Sequence, residues 1–192
     1  MKQLTFSIIF LLAGFLTINA QPSSAAIPDG FGSGSIFMAD NTTLQGYIKN
    51  NLKKNGEIIF LSSDGKKIKY TASQVSGLTL DTEHYIVVNN TFYKVIQDGT
   101  KMKLLRKASN SSAIQYNGSE PVVGNADEGS YDDYFIQPAS TKKLQLVRKK
   151  DFNKIFISSC SDCSSLTDDL KSNKLGFAEI EQAVTLYNSC NK

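Results

Sequence analysis

The sequence predicts an α+β protein in which a curved, barrel-like antiparallel meander sheet precedes a short C-terminal helical segment. Three observations predict it. Short runs rich in Ile, Val, Tyr and Phe recur from Ser35 to about Lys107 with turn dipeptides between them, the apolar spacing becomes helical after Asp151, and an apolar leader of twenty residues stands apart from both.

The leader reads as an address. Lys2 precedes an almost uninterrupted apolar run from Leu4 to Ile18, and Ile18-Asn19-Ala20 offers a small residue at a cleavage point, the pattern of a secretory signal peptide cut after Ala20. The run is shorter than the roughly 18 to 20 apolar residues of a membrane-spanning helix, and no second one follows. A mature chain without a transmembrane segment, secreted or periplasmic, is the expectation. No cysteine lies near the cut, so no lipid anchor is expected.

Residues 21–34, with Pro28, Gly30, Gly32 and Gly34, read as a flexible linker. The antiparallel β domain is expected over 35–148. Its strands run Ile36 to Ala39, Leu44 to Leu52, Glu57 to Leu61, Lys66 to Tyr70, His84 to Val88, Thr91 to Ile96 and Lys101 to Arg106, with Leu78 to Leu80 set aside as too weak. Asn55-Gly56 and Asp64-Gly65 read as type I′ hairpin turns, because both dipeptides tolerate positive φ. Ala113 to Tyr116, Tyr131 to Gln137 and Lys143 to Val147 are further strand candidates. The long connection Asn117 to Ser130 has the length and glycine content of a functional loop.

A helical tail over 151–190, packed on the sheet, follows. Asp151 can cap a helix start, and Phe152, Ile155, Phe156 and Ser159 then fall on one helical face. Leu166 and Leu170 make a second stripe, and Phe177, Ile180, Val184 and Tyr187 a third.

Removing the leader from 192 residues leaves 172, about one domain, with 20 basic and 18 acidic side chains. So even a balance does not suggest a nucleic-acid partner. The charge is blocky: residues 44–108 carry 11 basic and 5 acidic groups, 119–137 carry 5 acidic and no basic, and 142–154 carry 6 basic and 1 acidic. Solvated faces account for such blocks, and opposite blocks can also dock on one another.

All three cysteines, Cys160, Cys163 and Cys190, lie in the tail, and the default for a pair in an exported protein is a disulfide. The segment Asp162-Cys163-Ser164-Ser165-Leu166 and the later Tyr187-Asn188-Ser189-Cys190 resemble the tail of signal-bearing bacterial envelope proteins that have no assigned activity, with Asp-Cys-x-x-Leu followed by Tyr-Asn-x-Cys. Gly46 to Ile48, Asp64-Gly65-Lys66 and Phe92-Tyr93-Lys94 are similar to the front half of the same group. The resemblance implies a disulfide between Cys163 and Cys190; Cys160 is outside the pattern.

Cys160-Ser161-Asp162-Cys163 also has the spacing of a thiol–disulfide oxidoreductase, which forms the competing reading. Against it, only 29 residues follow Cys163, and an acidic residue between the cysteines disfavours a thiolate. A zinc site would need two close ligand pairs, and the three cysteines with the distant His84 supply one. His84, the lone histidine, has no Gly-x-Ser-x-Gly elbow to serve, so it reads as a solvated strand-end residue. Asp132 and Asp133 are adjacent and on a strand point to opposite faces, which leaves a hydrolase without a recognisable carboxylate pair.

No catalytic, cofactor or metal constellation is therefore assigned. The expected function is a non-catalytic binding or interaction module of the cell envelope or extracellular space, with an unidentified envelope protein or ligand as partner. Its candidate contact is the acidic, aromatic loop holding Asp127, Glu128, Tyr131 and Asp132.

Overall fold

A computed structural model describes residues 27–109, 115–117, 120–122 and 128–190 of the chain. The expected leader and Asp127 lie outside the described residues, as does half of the connection 117–130. Ten strands form one curved antiparallel sheet that does not close: β1 (Gly32–Met38), β2 (Thr43–Asn51), β3 (Glu57–Leu61), β4 (Lys67–Thr71), β5 (Val75–Leu80), β6 (Glu83–Val88), β7 (Thr91–Asp98), β8 (Met102–Lys107), and, after a separate two-stranded pair of β9 (Gln115–Asn117) and β10 (Glu120–Val122), β11 (Tyr134–Pro138) and β12 (Gln145–Val147). Three helices follow.

The sheet order is β12-β11-β8-β7-β6-β5-β1-β2-β3-β4. It departs from a plain meander at β1, which lies between β2 and β5 and leaves β4 on an edge. Four local expectations are corrected. Leu78 to Leu80 belongs to the central strand β5, and β1 starts at Gly32, inside the expected linker. Asn55-Gly56 is not a two-residue hairpin turn: Leu52–Asn55 form one helical turn, α1, and Gly56 at φ 65° ends it, its N–H bonded to the Leu52 carbonyl. At Asp64-Gly65 only Gly65 has positive φ, so the turn is not type I′, which needs two such residues in succession. Asn89 and Asn90, between β6 and β7, do both have positive φ.

Curling of the sheet is measurable in one hydrogen bond. Asn50 on β2 donates to the Tyr85 hydroxyl on β6 at 3.2 Å although two strands, β5 and β1, lie between them. In a flat sheet the two strands would be about 14 Å apart. The first half thus rolls into a half-barrel filled by Ile36, Ile48, Ile58, Phe60, Leu78 and Phe92.

The tail comprises α2 (Phe152–Ser159), α3 (Ser164–Lys171) and α4 (Ile180–Ser189). The apolar stripes face inward: Phe152, Phe156, Leu166, Leu170, Ile180 and Val184 are buried with Met102, Leu104, Ile136 and Val147 of the sheet. Asp151 closes a 3-10 turn before α2 and makes no side-chain cap. Burying a side chain of this size stabilises by about 1.5–3 kcal/mol, so a helical layer with little propensity of its own is held by the sheet.

A disulfide joins Cys163 to Cys190 across 27 residues, and Cys160 is a free, buried thiol. Tyr187 donates to Asp162 at 2.9 Å beside it. The Asn188 amide meanwhile binds the backbone of Lys101 and Met102 at the start of β8. Asp162, Cys163, Tyr187, Asn188 and Cys190 thus form a single clamp between helices and sheet.

Candidate functional site

In an antiparallel pair, residues directly opposite one another point to the same face. The strand registers therefore define one row across eight strands: Val147, Tyr134, Arg106, Lys94, Tyr85, Leu78, Ile36 and Leu44. Val147 belongs to the core under the helices, while Leu78 and Ile36 belong to the core of the half-barrel. Between the two cores the row turns polar. The side chains of Tyr134, Arg106, Lys94 and Tyr85 form a seam there, on the same face as both cores.

The seam opens into a cleft of roughly 320 Å3. Asn50, Lys53, Glu83, Lys94, Arg106 and Asp132 line it, together with Tyr85, Lys107 and Tyr131. Glu83 accepts hydrogen bonds from Lys94 and from Tyr85. Those two bonds, the one from Lys94 foremost, hold its carboxyl below the usual carboxylate range. Burial, and then the hydrogen bond to Glu83 and its charge, push the Tyr85 phenol well above its ordinary range. Both groups keep their protonation state through the neutral range.

At the other side of the cleft, Arg106 rests on the Tyr134 ring, 4.6 Å from Cζ to the centroid, and Nη2 donates to the Tyr134 hydroxyl at 3.1 Å. Tyr134 in turn donates to Glu181 of α4 at 3.2 Å. Asp132 lies 3.2 Å from Arg106 Nε as an ion pair. Nε is buried but its N–H makes no hydrogen bond. Asp132 is exposed and takes φ 72°, the left-handed region that Asp tolerates better than most residues.

The loop before β11 is fastened to the end of β8 by its backbone. Asp132 N–H donates to the Lys107 carbonyl at 2.8 Å, and Lys107 N–H donates to the Asp133 carbonyl at 2.9 Å. Lys107, 3 % exposed, donates its ammonium to the carbonyls of Glu128 and Gly129 at 2.8 and 2.9 Å. Burial pushes that ammonium's pKa below the usual lysine value. The basic and acidic blocks of the sequence meet here.

Of the loop residues singled out in the sequence, Tyr131 and Asp132 line the cleft, with Lys53 Nζ 4.8 Å from the Tyr131 ring centroid. Glu128 contributes its backbone carbonyl to Lys107 while its side chain is exposed. Asp127 lies outside the described residues. Sequence reasoning missed Glu83, Tyr85, Lys94 and Arg106. A signal was present: Phe92-x-Lys94-x-Ile96 and Met102-x-Leu104-x-Arg106 each put one cation into an otherwise apolar alternation.

The other candidates are placed elsewhere. His84 is exposed on the opposite face of β6, its ring 6.4 Å from Phe37. Burial, reinforced by the Asp162 charge, raises the Cys160 thiol to about 12. Among the described residues, no three His, Cys, Asp or Glu side chains converge as a metal site. No described helix is long and apolar enough to cross a membrane. No family model, curated protein or solved structure matches the chain.

Proposed function

We propose that the protein is an exported, non-catalytic binding module of the cell envelope or extracellular space, and that its binding site is the cleft between the two cores. One observation carries the reading. Core-facing positions in four neighbouring strands hold Tyr85, Lys94, Arg106 and Tyr134 where an uninterrupted core would have apolar side chains. Polar and charged side chains at such positions break an otherwise consistent pattern, and breaks of that kind concentrate at functional sites.

Export rests on the leader and on the disulfide, a bond that persists in oxidising compartments. Absence of catalysis rests on the titrating groups. Glu83 is held ionised and Tyr85 protonated, so neither exchanges a proton near neutral pH as a general acid or base must. A thiol oxidoreductase using Cys160 and Cys163 is disfavoured: Cys163 is bonded to Cys190, and Cys160 is buried with its thiol raised to about 12. A hydrolase is disfavoured because Asp132 is paired with Arg106 and Asp133 accepts from the Ser130 N–H at 2.7 Å.

The test is photo-crosslinking from position 131 in the source cells, followed by mass spectrometry. A covalent adduct that disappears on Arg106→Gln is the expected result. Substrate turnover abolished by Cys160→Ser or by an Asp132/Asp133 double substitution overturns the reading.

A further inference from the structure

We infer that the ligand of this cleft is a small polar anion, of about the size of one sugar residue, that presents a carboxylate or a phosphate to Arg106 and Lys94. The inference rests on the cleft being the binding site, and it adds the chemistry of what binds.

Charge is the first argument. In the lining itself the cations Lys53, Lys94, Arg106 and Lys107 outnumber the carboxylates Glu83 and Asp132, with Glu128 and Asp133 acting on Lys107 from beside it. Apolar cores flank the cleft on both sides, and low-dielectric walls focus such a charge and concentrate anions.

The second argument is the incomplete pairing of the cations. An arginine carries five N–H donors in a planar fork suited to two oxygens of one carboxylate or phosphate. Tyr134 holds that fork in place from below, so little freedom is lost on binding. Asp132 neutralises the guanidinium only as an exposed neighbour on a turn, and it leaves Nε without a hydrogen bond. An incoming anion that displaces it can make the bond it fails to make. Lys94 has three N–H groups, of which Glu83 takes one.

Size and lining supply the third argument. Roughly 320 Å3 lies at the low end for ligand pockets, and the lining is polar: Tyr131 adds a hydroxyl beside Asn50 and Tyr85, which are bonded to one another. Few apolar side chains face the space, so a lipid tail or aromatic drug-like molecule finds no complement.

The experiment is a titration of the full exported chain with D-glucuronate, glucose 6-phosphate and neutral glucose, followed by NMR of the Arg106 Nε–Hε signal. A saturable shift with glucuronate or glucose 6-phosphate, weaker at high salt and absent with glucose, is expected; which of the two binds identifies the carboxylate or the phosphate. Arg106→Gln should weaken binding by about tenfold or more, the loss expected of a charged hydrogen bond. Asp132→Asn, which keeps the shape and suits the left-handed backbone, should tighten it about threefold by removing the competing carboxylate. Lys94→Gln gives a second weakening that does not depend on the Arg106 variant folding. Glucose binding as well as the anions, or tighter binding lost on Asp132→Asn, overturns the anion but leaves the cleft as the site. No shift with any of the three, with a crosslinked partner captured from position 131, also overturns the anion alone. No shift and no crosslink overturns both.

Discussion

The side-chain amide of Asn188 closes on the backbone of Met102 from both sides. Its Nδ2 donates to the Met102 carbonyl at 2.9 Å and its Oδ1 accepts from the Met102 N–H at 3.0 Å, while the same oxygen accepts from Lys101 N–H at 3.0 Å. One side chain on α4 thus behaves as an extra strand residue at the start of β8. Asn188→Ala leaves three backbone groups unpaired and is expected to lower stability by about 2–4 kcal/mol in urea denaturation. Ser189→Ala, next to it on the exposed face, should cost less than about 0.5 kcal/mol.

Gly99 reads the same contact from the other side. A Cβ there would lie 2.0 Å from Asn188 Nδ2, so Gly99→Ala must push the amide off β8. Its loss of thermal stability should match that of Asn188→Ala, and the double variant should lose little more than either single one.

The disulfide closes a loop of 27 residues in sequence separation, for which chain-entropy estimates give roughly 3 kcal/mol. Replacing Cys163 and Cys190 by Ser should lower stability by that amount, and reductant should do the same to the unsubstituted protein and nothing to the variant. Cys160, fully buried with its thiol raised to about 12, should resist iodoacetamide at pH 8 until the chain is unfolded.

Glu83 ties stability to acid. Its carboxyl is held below the ordinary 4.5 by Lys94 first and Tyr85 second, so the unfolded chain binds the proton more readily than the folded one. The contribution is complete above about pH 4.5 and is lost as pH falls through the lower folded value. Glu83→Gln should therefore be less stable than the parent at pH 7, with the gap narrowing in thermal melts as pH falls below about 4.5.

Lys107 holds the cleft loop by two backbone carbonyls from an almost fully buried position. Lys107→Met keeps the apolar stem but leaves the Glu128 and Gly129 carbonyls unpaired. A loss of about 2 kcal/mol is expected, with faster amide hydrogen exchange at Asp132 and Asp133, whose backbone bonds to Lys107 fasten the loop.

How much of this was legible in the sequence follows from what is local. Glu57–Leu61 was read to the residue because its alternation buries Ile58 and Phe60 and exposes the rest more. Helical stripes were readable for the same reason, and Leu166, Leu170, Ile180, Val184 and Tyr187 are all buried. Leu78 to Leu80 is weak as a run of three residues, yet it continues a strand through Gly77, where backbones approach closely: a Cβ there would lie 2.6 Å from the Tyr85 carbonyl. The placement of β1 against β5 is a non-local pairing that no short motif encodes. Tyr131 and Asp132 were found through loop length and charge. Tyr85, Lys94 and Arg106 were not, because each is a single departure in its own strand and only the register of β6, β7 and β8 brings them into one row.

A sheet that does not close leaves two edges, β4 and β12. Lys66, Lys67 and Lys69 lie on or beside the first, and Lys142, Lys143, Arg148, Lys149 and Lys150 flank the three residues of the second. Both edges therefore carry lysines, Lys66 and Lys69 being paired with Asp64 and Glu57 of the same chain. Charged side chains on an edge oppose filament growth by strand addition, the standing hazard of a sheet that does not close.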